Sequence, residues 1–438
     1  MRFESRVGFG AAVCGIFLVV CLGVGYGAEA RNTDLVRFLP NDGNSVFSAA
    51  GLLRKWPEGG PKELWRVEVG WGKTAVIEAG GRAFTGTQTD KKQWALCLHP
   101  LTGETLWKKL LVDSENRHFV QGPVTSPVVD GDRVYFIPYA IEGRDVWEMR
   151  CPVVCFRTDG TELWRADEGV WATEASVPLI VGDTLYMGAD NPERAVLAAL
   201  DKMTGKVLWT ARAESDLKRE LGAPASLTYQ VVDGVPQVVV ATYGTRELLG
   251  VHAETGAIMW RFPYPAPIII GLVSTPVAAG NRLFVCGAEG SGKNFSVCLE
   301  MAAREGKIAC RELYRSTELQ VNNYNTVAVY EDAVFGFGAD DEGAFIHCTE
   351  LGDGSLLWRQ RGEDWTKDQQ LIIADGLVFA LTKGEELVMA EASREGYREL
   401  GRVALNMDLG RPQHPTIANG RMYIRGNQWV ACYQVAGD

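Results

Sequence analysis

The sequence predicts an all-β protein, an eight-bladed β-propeller of four-stranded blades whose ring is closed by an N-terminal strand. Three observations predict this fold: a recurring glycine–tryptophan motif, a hairpin pattern before each copy, and a nearly constant repeat length. The motif glycines are separated by 57, 45, 51, 50, 48 and 42 residues, and they are Gly103, Gly160, Gly205, Gly256, Gly306, Gly354 and Gly396. Repeats of about this length are typical of propellers and solenoids.

The glycine–tryptophan motif predicts how neighbouring blades are held together. Five copies place a tryptophan four residues after the glycine, at Trp107, Trp164, Trp209, Trp260 and Trp358. Two degenerate copies place Cys310 after Gly306 and Leu400 after Gly396. Glycine adopts the positive φ that a tight turn before the outer strand needs. We expect each indole to pack on the neighbouring blade, where burying about 200 Å² stabilises the ring by several kcal/mol.

A second pattern, two short apolar strands joined by a tight turn, precedes each copy of the motif. In Ser126–Phe136 the turn is Asp130-Gly131, a dipeptide typical of hairpins. The two patterns together predict strand, turn, strand, loop, strand, turn, strand, which is one propeller blade. Seven complete blades are predicted, with cores at 75–107, 123–164, 174–209, 223–260, 273–310, 325–358 and 369–400.

The eighth blade is predicted to combine both ends of the chain. Residues 414–435 supply only three strands, while Glu63-Leu64-Trp65-Arg66 repeats Glu162-Leu163-Trp164-Arg165 of the second blade. We therefore expect residues 61–69 to form the fourth strand, because an open ring would expose unpaired strand edges.

The first 30 residues have the pattern of an export signal. Arg2 and Arg6 precede an apolar stretch, and Ala28-Glu29-Ala30 is typical of a signal-peptidase site. This predicts a signal peptide at 1–30, a lead-in segment at 31–60, and the propeller at 61–438, in an exported protein of the periplasm or the extracellular space. An uncut membrane anchor is the alternative.

Composition restricts the partners. No later segment has the ~20 uninterrupted apolar residues that span a bilayer, so no membrane span is expected after signal removal. The net charge is −11 without a basic cluster, which argues against a nucleic-acid partner because phosphate binding needs clustered Lys and Arg.

The cysteines occupy one repeat position more often than any other. Five of them stand in the third strand where the third blade has Ala199, and they are Cys97, Cys155, Cys298, Cys348 and Cys432. We expect a tight buried site that accepts small side chains. No metal centre is predicted, because these thiols belong to different blades. Cys286 and Cys298 are expected to face each other across a hairpin, which leaves a disulfide open.

The stretch Ala199-Leu-Asp201-Lys-Met-Thr204-Gly205-Lys-Val-Leu-Trp209 resembles the tryptophan-docking motif of the quinoprotein alcohol dehydrogenase-like propellers, the PQQ-like repeat family. The resemblance covers about 61–435. It implies either a quinoprotein dehydrogenase, with PQQ and calcium in the central channel, or a non-enzymatic propeller resembling BamB, the scaffold of outer-membrane protein assembly. The chain lacks the adjacent cysteine pair of the enzymes and a Cys-x-x-Cys-His haem motif, so no catalytic residues are assigned and no cofactor is expected.

Ligand binding is predicted on the face formed by the second-to-third and fourth-to-first strand connections, because loops on a rigid scaffold commonly carry binding groups. The candidate residues are His118, Trp171, Tyr264, Asn322, Asn323, Tyr324, Trp365 and His414. The alternative is that these aromatic residues pack their own loops. The leading hypothesis is a non-catalytic binding or scaffold module for a protein or glycan partner. A PQQ- or other cofactor-dependent oxidoreductase acting on alcohols or sugars is the alternative, and a polysaccharide-active enzyme with a carboxylate pair is a third.

Overall fold

Every regular element that the computed structural model describes is a β-strand. The described residues are 33–116, 121–141, 149–167, 171–173, 175–190, 195–213, 222–264, 272, 274–288, 294–316, 326–366, 369–410 and 414–437. Contacts divide the chain into two units, Met1–Asn32 and Thr33–Asp438. The predicted signal peptide, residues 1–30, lies outside the described residues. Within the described ranges, no helix could cross a membrane.

Two strands precede the first complete blade, and blades 1 to 4 come next along the chain. The early strands are β1 (Val46–Phe47) and β2 (Lys62–Glu68). Blade 1 contains β3 (Ile77–Ala79), β4 (Arg82–Thr89), β5 (Lys92–Leu98) and β6 (Thr105–Val112). Blade 2 and its small accessory hairpin contain β7 (Val128–Asp130), β8 (Arg133–Phe136), β9 (Ala140–Ile141), β10 (Met149–Arg150), β11 (Val153–Arg157) and β12 (Glu162–Ala166). Blade 3 contains β13 (Trp171–Ala172), β14 (Leu179–Val181), β15 (Thr184–Asp190), β16 (Ala195–Asp201) and β17 (Val207–Arg212). Blade 4 contains β18 (Thr228–Val232), β19 (Val235–Ala241), β20 (Glu247–His252) and β21 (Ile258–Pro263).

The remaining blades repeat the arrangement. Blade 5 contains β22 (Val277–Ala279), β23 (Arg282–Ala288), β24 (Asn294–Arg304) and β25 (Lys307–Ser316). Blade 6 contains β26 (Ala328–Tyr330), β27 (Ala333–Asp340), β28 (Gly343–Glu350) and β29 (Leu356–Arg361). Blade 7 contains β30 (Leu371–Ala374), β31 (Leu377–Leu381), β32 (Glu386–Glu391) and β33 (Glu399–Ala404). Blade 8 contains β34 (Thr416–Ala418), β35 (Arg421–Arg425) and β36 (Trp429–Gln434), with β2 as its fourth strand.

The eight-bladed propeller is confirmed, and so is the closure of its ring. Strand β2 pairs antiparallel with β36, and Trp65 lies opposite Cys432. Residues just before β2 add to this clamp, since Leu52 bridges to Ala436 and the amide of Leu53 donates to the carbonyl of Val435. The two ends of the chain therefore build blade 8 together.

The tryptophan docking is confirmed at most blade junctions, which we call seams. A Cβ added to Gly103, Gly160, Gly205 or Gly256 would lie within 3.0 Å of the indole of the preceding blade. Trp65, Trp107 and Trp164 also donate from Nε1 to a carbonyl of the next blade. In every blade except blade 7, the third-strand residue opposite the docking residue is small, and all five predicted cysteines occupy this buried position. Blade 7 has Met389 there.

Two positions in the degenerate copies were predicted wrongly. In blade 5 the residue paired with Cys298 is Tyr314, not Cys310, because the β24–β25 hairpin continues for further pairs beyond the usual turn. In blade 7 the docking position is Gly401, not Leu400, because the connection before β33 is longer than in the regular blades.

The cysteines of the structure are free thiols, including the pair for which a disulfide was left open. The expectation that Cys286 faces Cys298 was wrong: Cys286 lies opposite Ser296, and Cys298 lies opposite Phe284. A shift of two residues along the hairpin is enough to separate thiols that must approach closely to bond.

Candidate functional site

The central channel is lined by the first strand of each blade. These inner strands are short, and successive ones approach each other around the axis. We call the side with the turns between first and second strands the turn face, and the opposite side, with the second-to-third and fourth-to-first connections, the loop face.

Residues 34–47, the channel segment, fill the turn-face half of the channel. Their backbone follows the inner strands in blade order: the amide of Leu35 donates to Glu78 of blade 1, and the carbonyl of Val36 accepts from Val129 of blade 2. The carbonyls of Asn41, Asp42 and Ser45 accept from Tyr229, Ala278 and Ile373 of blades 4, 5 and 7. Strand β1 then pairs in parallel with β30.

Arg37 fixes the channel segment against blades 3 and 4. The residue is 2% exposed, and its guanidinium donates to the backbone carbonyls of Val177, Pro178 and Leu227 at 2.7–3.0 Å, and to two carbonyls of its own segment. Burial lowers the pKa of Arg37 to about 9, although the Asp42 carboxylate opposes this shift. The cation is held by carbonyl dipoles, which satisfy its hydrogen bonds without a paired carboxylate.

The wall of the channel nearer the loop face carries hydroxyl groups. Ser126 Oγ accepts from the amide of Ala75, and Ser226 Oγ accepts from the amide of Val177. These bonds cross from one blade to the next, so the hydroxyls serve to join inner strands.

Glu78 is a buried carboxylate that the structure places against the channel segment. Calcium prefers carboxylate and carbonyl oxygens, but the buried carboxylate of Glu78 already accepts hydrogen bonds from Asn419, Arg421 and Tyr423. The channel segment fills the turn-face half of the channel. No catalytic step through PQQ with calcium is derived.

Four of the predicted binding residues lie outside the described ranges: His118, Asn322, Asn323 and Tyr324. The other four do not come together. Trp171 is half-buried in β13 and donates from Nε1 to the carbonyl of Asp167.

The remaining three predicted residues are buried. Tyr264 donates to the carbonyl of Thr242 at 2.6 Å and accepts from the amide of Leu272, and Trp365 packs on Phe337 at 5.1 Å between ring centres. This burial agrees with the alternative in which the aromatic residues pack their own loops. Their role in binding stays a prediction.

His414 lies against the channel segment. Its ring meets Phe38 edge-on at 4.9 Å, and burial lowers its pKa to about 3. The imidazole is therefore neutral at ordinary pH and belongs to the packing around the channel segment.

A charged cleft opens on the loop face of blade 6. It has a volume of about 670 Å³ and is lined by Asp340, Asp341, Glu342, Arg359, Gln360 and Arg361. The Asp340 carboxylate pairs with Arg361 at 2.6 Å, and this hydrogen bond holds the pKa of Asp340 low, at about 2. The guanidiniums of Arg359 and Arg361 stack over Phe345 at 5.3 and 5.4 Å. This arrangement offers both signs of charge to a partner and contains no nucleophile with an adjacent base.

Sequence reasoning missed the channel segment and Arg37. One signal could have found them: Leu35-Val36-Arg37-Phe38-Leu39 places a single cation inside an apolar run, and a buried cation must be paired or hydrogen-bonded. The segment has no repeat period, so the repeat analysis passed over it.

Comparisons with known proteins agree with the fold. The family model described as outer membrane protein assembly factor BamB matches residues 51–191, 150–228 and 193–339. Among curated proteins, no sequence match was found.

Solved structures show the same architecture at low identity. BamB from Moraxella catarrhalis superposes with a TM-score of 0.56 at 13% identity, covering 85% of this chain and 97% of that one. Quinohemoprotein alcohol dehydrogenase from Comamonas testosteroni gives 0.59 at 10% identity, covering 94% and 82%. Saccharomyces cerevisiae Sqt1 gives 0.52 at 10% identity, covering 86% and 100%. At these identities the likeness shows the fold alone.

Proposed function

This chain belongs to the PQQ-like β-propeller family whose model describes the outer membrane protein assembly factor BamB, and from this premise we propose that it is an exported, non-catalytic scaffold that binds a protein partner on its loop face. The observation that carries the proposal is the occupied channel. Where a quinoprotein-like enzyme would need room for a cofactor, the channel segment fills the turn-face half and Arg37 anchors it.

The charged cleft of blade 6 supports the loop face as the partner site. Arg359 and Gln360 are exposed there, and the Arg361–Asp340 pair is only partly buried. Partly exposed charge pairs contribute little to folding stability, whereas charges arranged on a surface steer and select partners. A protein with complementary charge is therefore favoured over a neutral glycan.

Site-specific photocrosslinking in the native cell tests this proposal. A photoreactive residue at Gln360, on the loop face, is expected to give a discrete adduct with one partner protein. The matched control places the same group at Val231, which is exposed beside the blade 4 turn on the opposite face. Equal adducts at both positions, or none at Gln360, would contradict the loop-face proposal.

A separate assay addresses the enzymatic alternative. The purified protein, supplied with PQQ and calcium, is expected to show no dye-linked oxidation of alcohols or sugars. Turnover above the level without PQQ would overturn the non-catalytic assignment, whatever the crosslinking shows.

A further inference from the structure

We propose that the turn-face half of the channel is a binding site for an extended polypeptide containing an arginine, and that the channel segment, residues 34–47, is its tethered occupant. This inference is independent of the loop-face partner, because it concerns the opposite side of the ring. It rests on how the ring contacts the segment, on what the ring recognises, and on how the segment is tethered.

The contact is strand-like pairing with the inner edge of the ring. Within the blade sheets, each inner strand except β30 has a partner strand on its outer side only, so the amides and carbonyls of its other edge can pair with an added chain. The channel segment satisfies one such edge after another, from Glu78 of blade 1 to Ile373 of blade 7. The segment joins the sheet of a blade only at β1, which pairs with β30 of blade 7.

Recognition depends on two side chains that the ring itself accommodates. The carbonyls of Val177, Pro178 and Leu227 form the ring's part of the cation pocket for Arg37. Asn44 bonds in both directions to the backbone of Val329 in blade 6. A ligand must therefore present a guanidinium and, seven residues later, an amide.

A glycine between them is also required. Gly43 has a φ of +77°, and an added Cβ would lie 2.3 Å from the carbonyl oxygen of Pro276. Substituting alanine would create both backbone strain and a direct clash.

The proposed exchange requires part of the occupant to be reachable from solvent. Val36 is 49% exposed, so the channel does not enclose the segment completely. The tether that follows is exposed at Ser48, Ala50 and Gly51, and an added Cβ at Gly51 would meet nothing within 4 Å. The connection therefore contributes little packing beyond the contact of Ala49 with the core.

The test uses the full chain with a protease recognition sequence inserted between Ala50 and Gly51. After folding and cleavage, we expect the released segment to stay bound and to exchange with a fluorescent synthetic peptide of residues 33–50, measured by anisotropy. A peptide with Arg37→Met should bind at least tenfold more weakly, since it loses several hydrogen bonds to a charged group. A peptide with Gly43→Ala should also bind at least tenfold more weakly.

Uncut protein provides a second measurement should the insertion prevent folding. The full chain with Arg37→Met should take up the labelled wild-type peptide more strongly than the unaltered chain does. Arg425→Met is the matched control, because Arg425 is another fully buried arginine bonded to backbone carbonyls but lies outside the segment; it should not raise uptake. The proposal is overturned if no peptide binds saturably, if the Arg37→Met peptide binds as well as the wild type, or if Arg425→Met raises uptake equally.

Discussion

The seams between blades differ in construction although the same motif marks most of them. In blades 8, 1, 2 and 3, the docking indole covers a glycine of the next blade. Between blades 4 and 5 the indole of Trp260 turns back, lying against Gly250 of its own blade and donating to Gln237 at 2.7 Å. Identical motif spacing therefore does not guarantee an identical contact.

The seam between blades 4 and 5 is held by a lengthened hairpin instead. Beyond Leu299–Glu312, strands β24 and β25 continue from Glu300–Arg311 to Arg304–Lys307. The hairpin reaches back to blade 4, where the amide of Ala303 donates to Asp233 and Met301 joins the apolar cluster of Val232. A ring needs every seam closed, and the chain achieves this by several means.

The largest expected effect concerns the seam between blades 7 and 8, where the lead-in segment supplies the missing indole. Trp56, 8% exposed, covers Gly401 at the docking position of blade 7, with an added Cβ at 2.9 Å. Trp56→Ala should lower the free energy of unfolding by about 3–5 kcal/mol, measured by denaturant titration.

The matched variant moves the indole into blade 7. Gly401→Trp alone should destabilise by about 1–3 kcal/mol through overpacking, while the same change combined with Trp56→Ala should recover much of the lost stability. Simple additivity of the two losses would refute the idea that Trp56 substitutes for a docking tryptophan.

The next effect is an acid sensitivity located in blade 6. His347 is fully buried, neither ring nitrogen has a hydrogen-bond partner, and burial, assisted by Arg359, lowers its pKa to about 4. In the other blades this position is apolar, occupied by Leu96, Val154, Ala198, Leu249, Val297, Val388 and Ala431.

This histidine should make the native state lose stability as the pH falls. Below about 6.5 the unfolded chain binds a proton that the native imidazole does not accept until about pH 4. The loss over that interval is roughly 3 kcal/mol at 1.36 kcal/mol per pKa unit. His347→Leu should remove it, and wild type and variant falling in parallel from pH 7 to 4 in denaturant titrations would contradict this.

The repeat period explains what the sequence could predict. The regular spacing of the glycine–tryptophan motif predicts the strand pairing, the ring closure at Trp65 and the buried cysteines. Tyr314 and Gly401 were missed because local changes in hairpin length shift the register without changing the residue types. Arg37 was missed because the channel segment contacts successive blades and repeats nothing itself. Whether the candidate residues Tyr264 and Trp365 are exposed or buried depends on loop paths that no local pattern encodes.

A smaller effect on stability is expected from alanine substitutions at two glycines, and comparing them separates the cost of losing the docking contact from the cost of backbone strain. Gly205 and Gly306 share a φ of +74°, but an added Cβ at Gly205 would lie 2.6 Å from the indole of Trp164, while at Gly306 it would meet nothing within 4 Å. Alanine should cost about 1–2 kcal/mol at both positions through strain. At Gly205 it should cost a further 1–3 kcal/mol, roughly, by displacing the indole. Equal losses in chemical denaturation would show that the docking contact contributes nothing measurable.

The smallest effect concerns the seam between blades 5 and 6, where a tyrosine takes the place of the indole. The ring of Tyr314 covers Gly354, with an added Cβ at 2.5 Å, but its hydroxyl reaches the carbonyl of Glu350 only at 3.5 Å. A hydrogen bond this long is weak, so Tyr314→Phe should cost less than about 1 kcal/mol, whereas Tyr314→Ala should cost about 3–5 kcal/mol, as for other large aromatic truncations. If the phenylalanine variant lost as much as the alanine variant, the hydroxyl and not the ring would hold this seam. The shared feature of the docking positions would then be a polar bond to the next blade, since Trp65 and Trp107 make shorter ones of 2.8 and 2.9 Å.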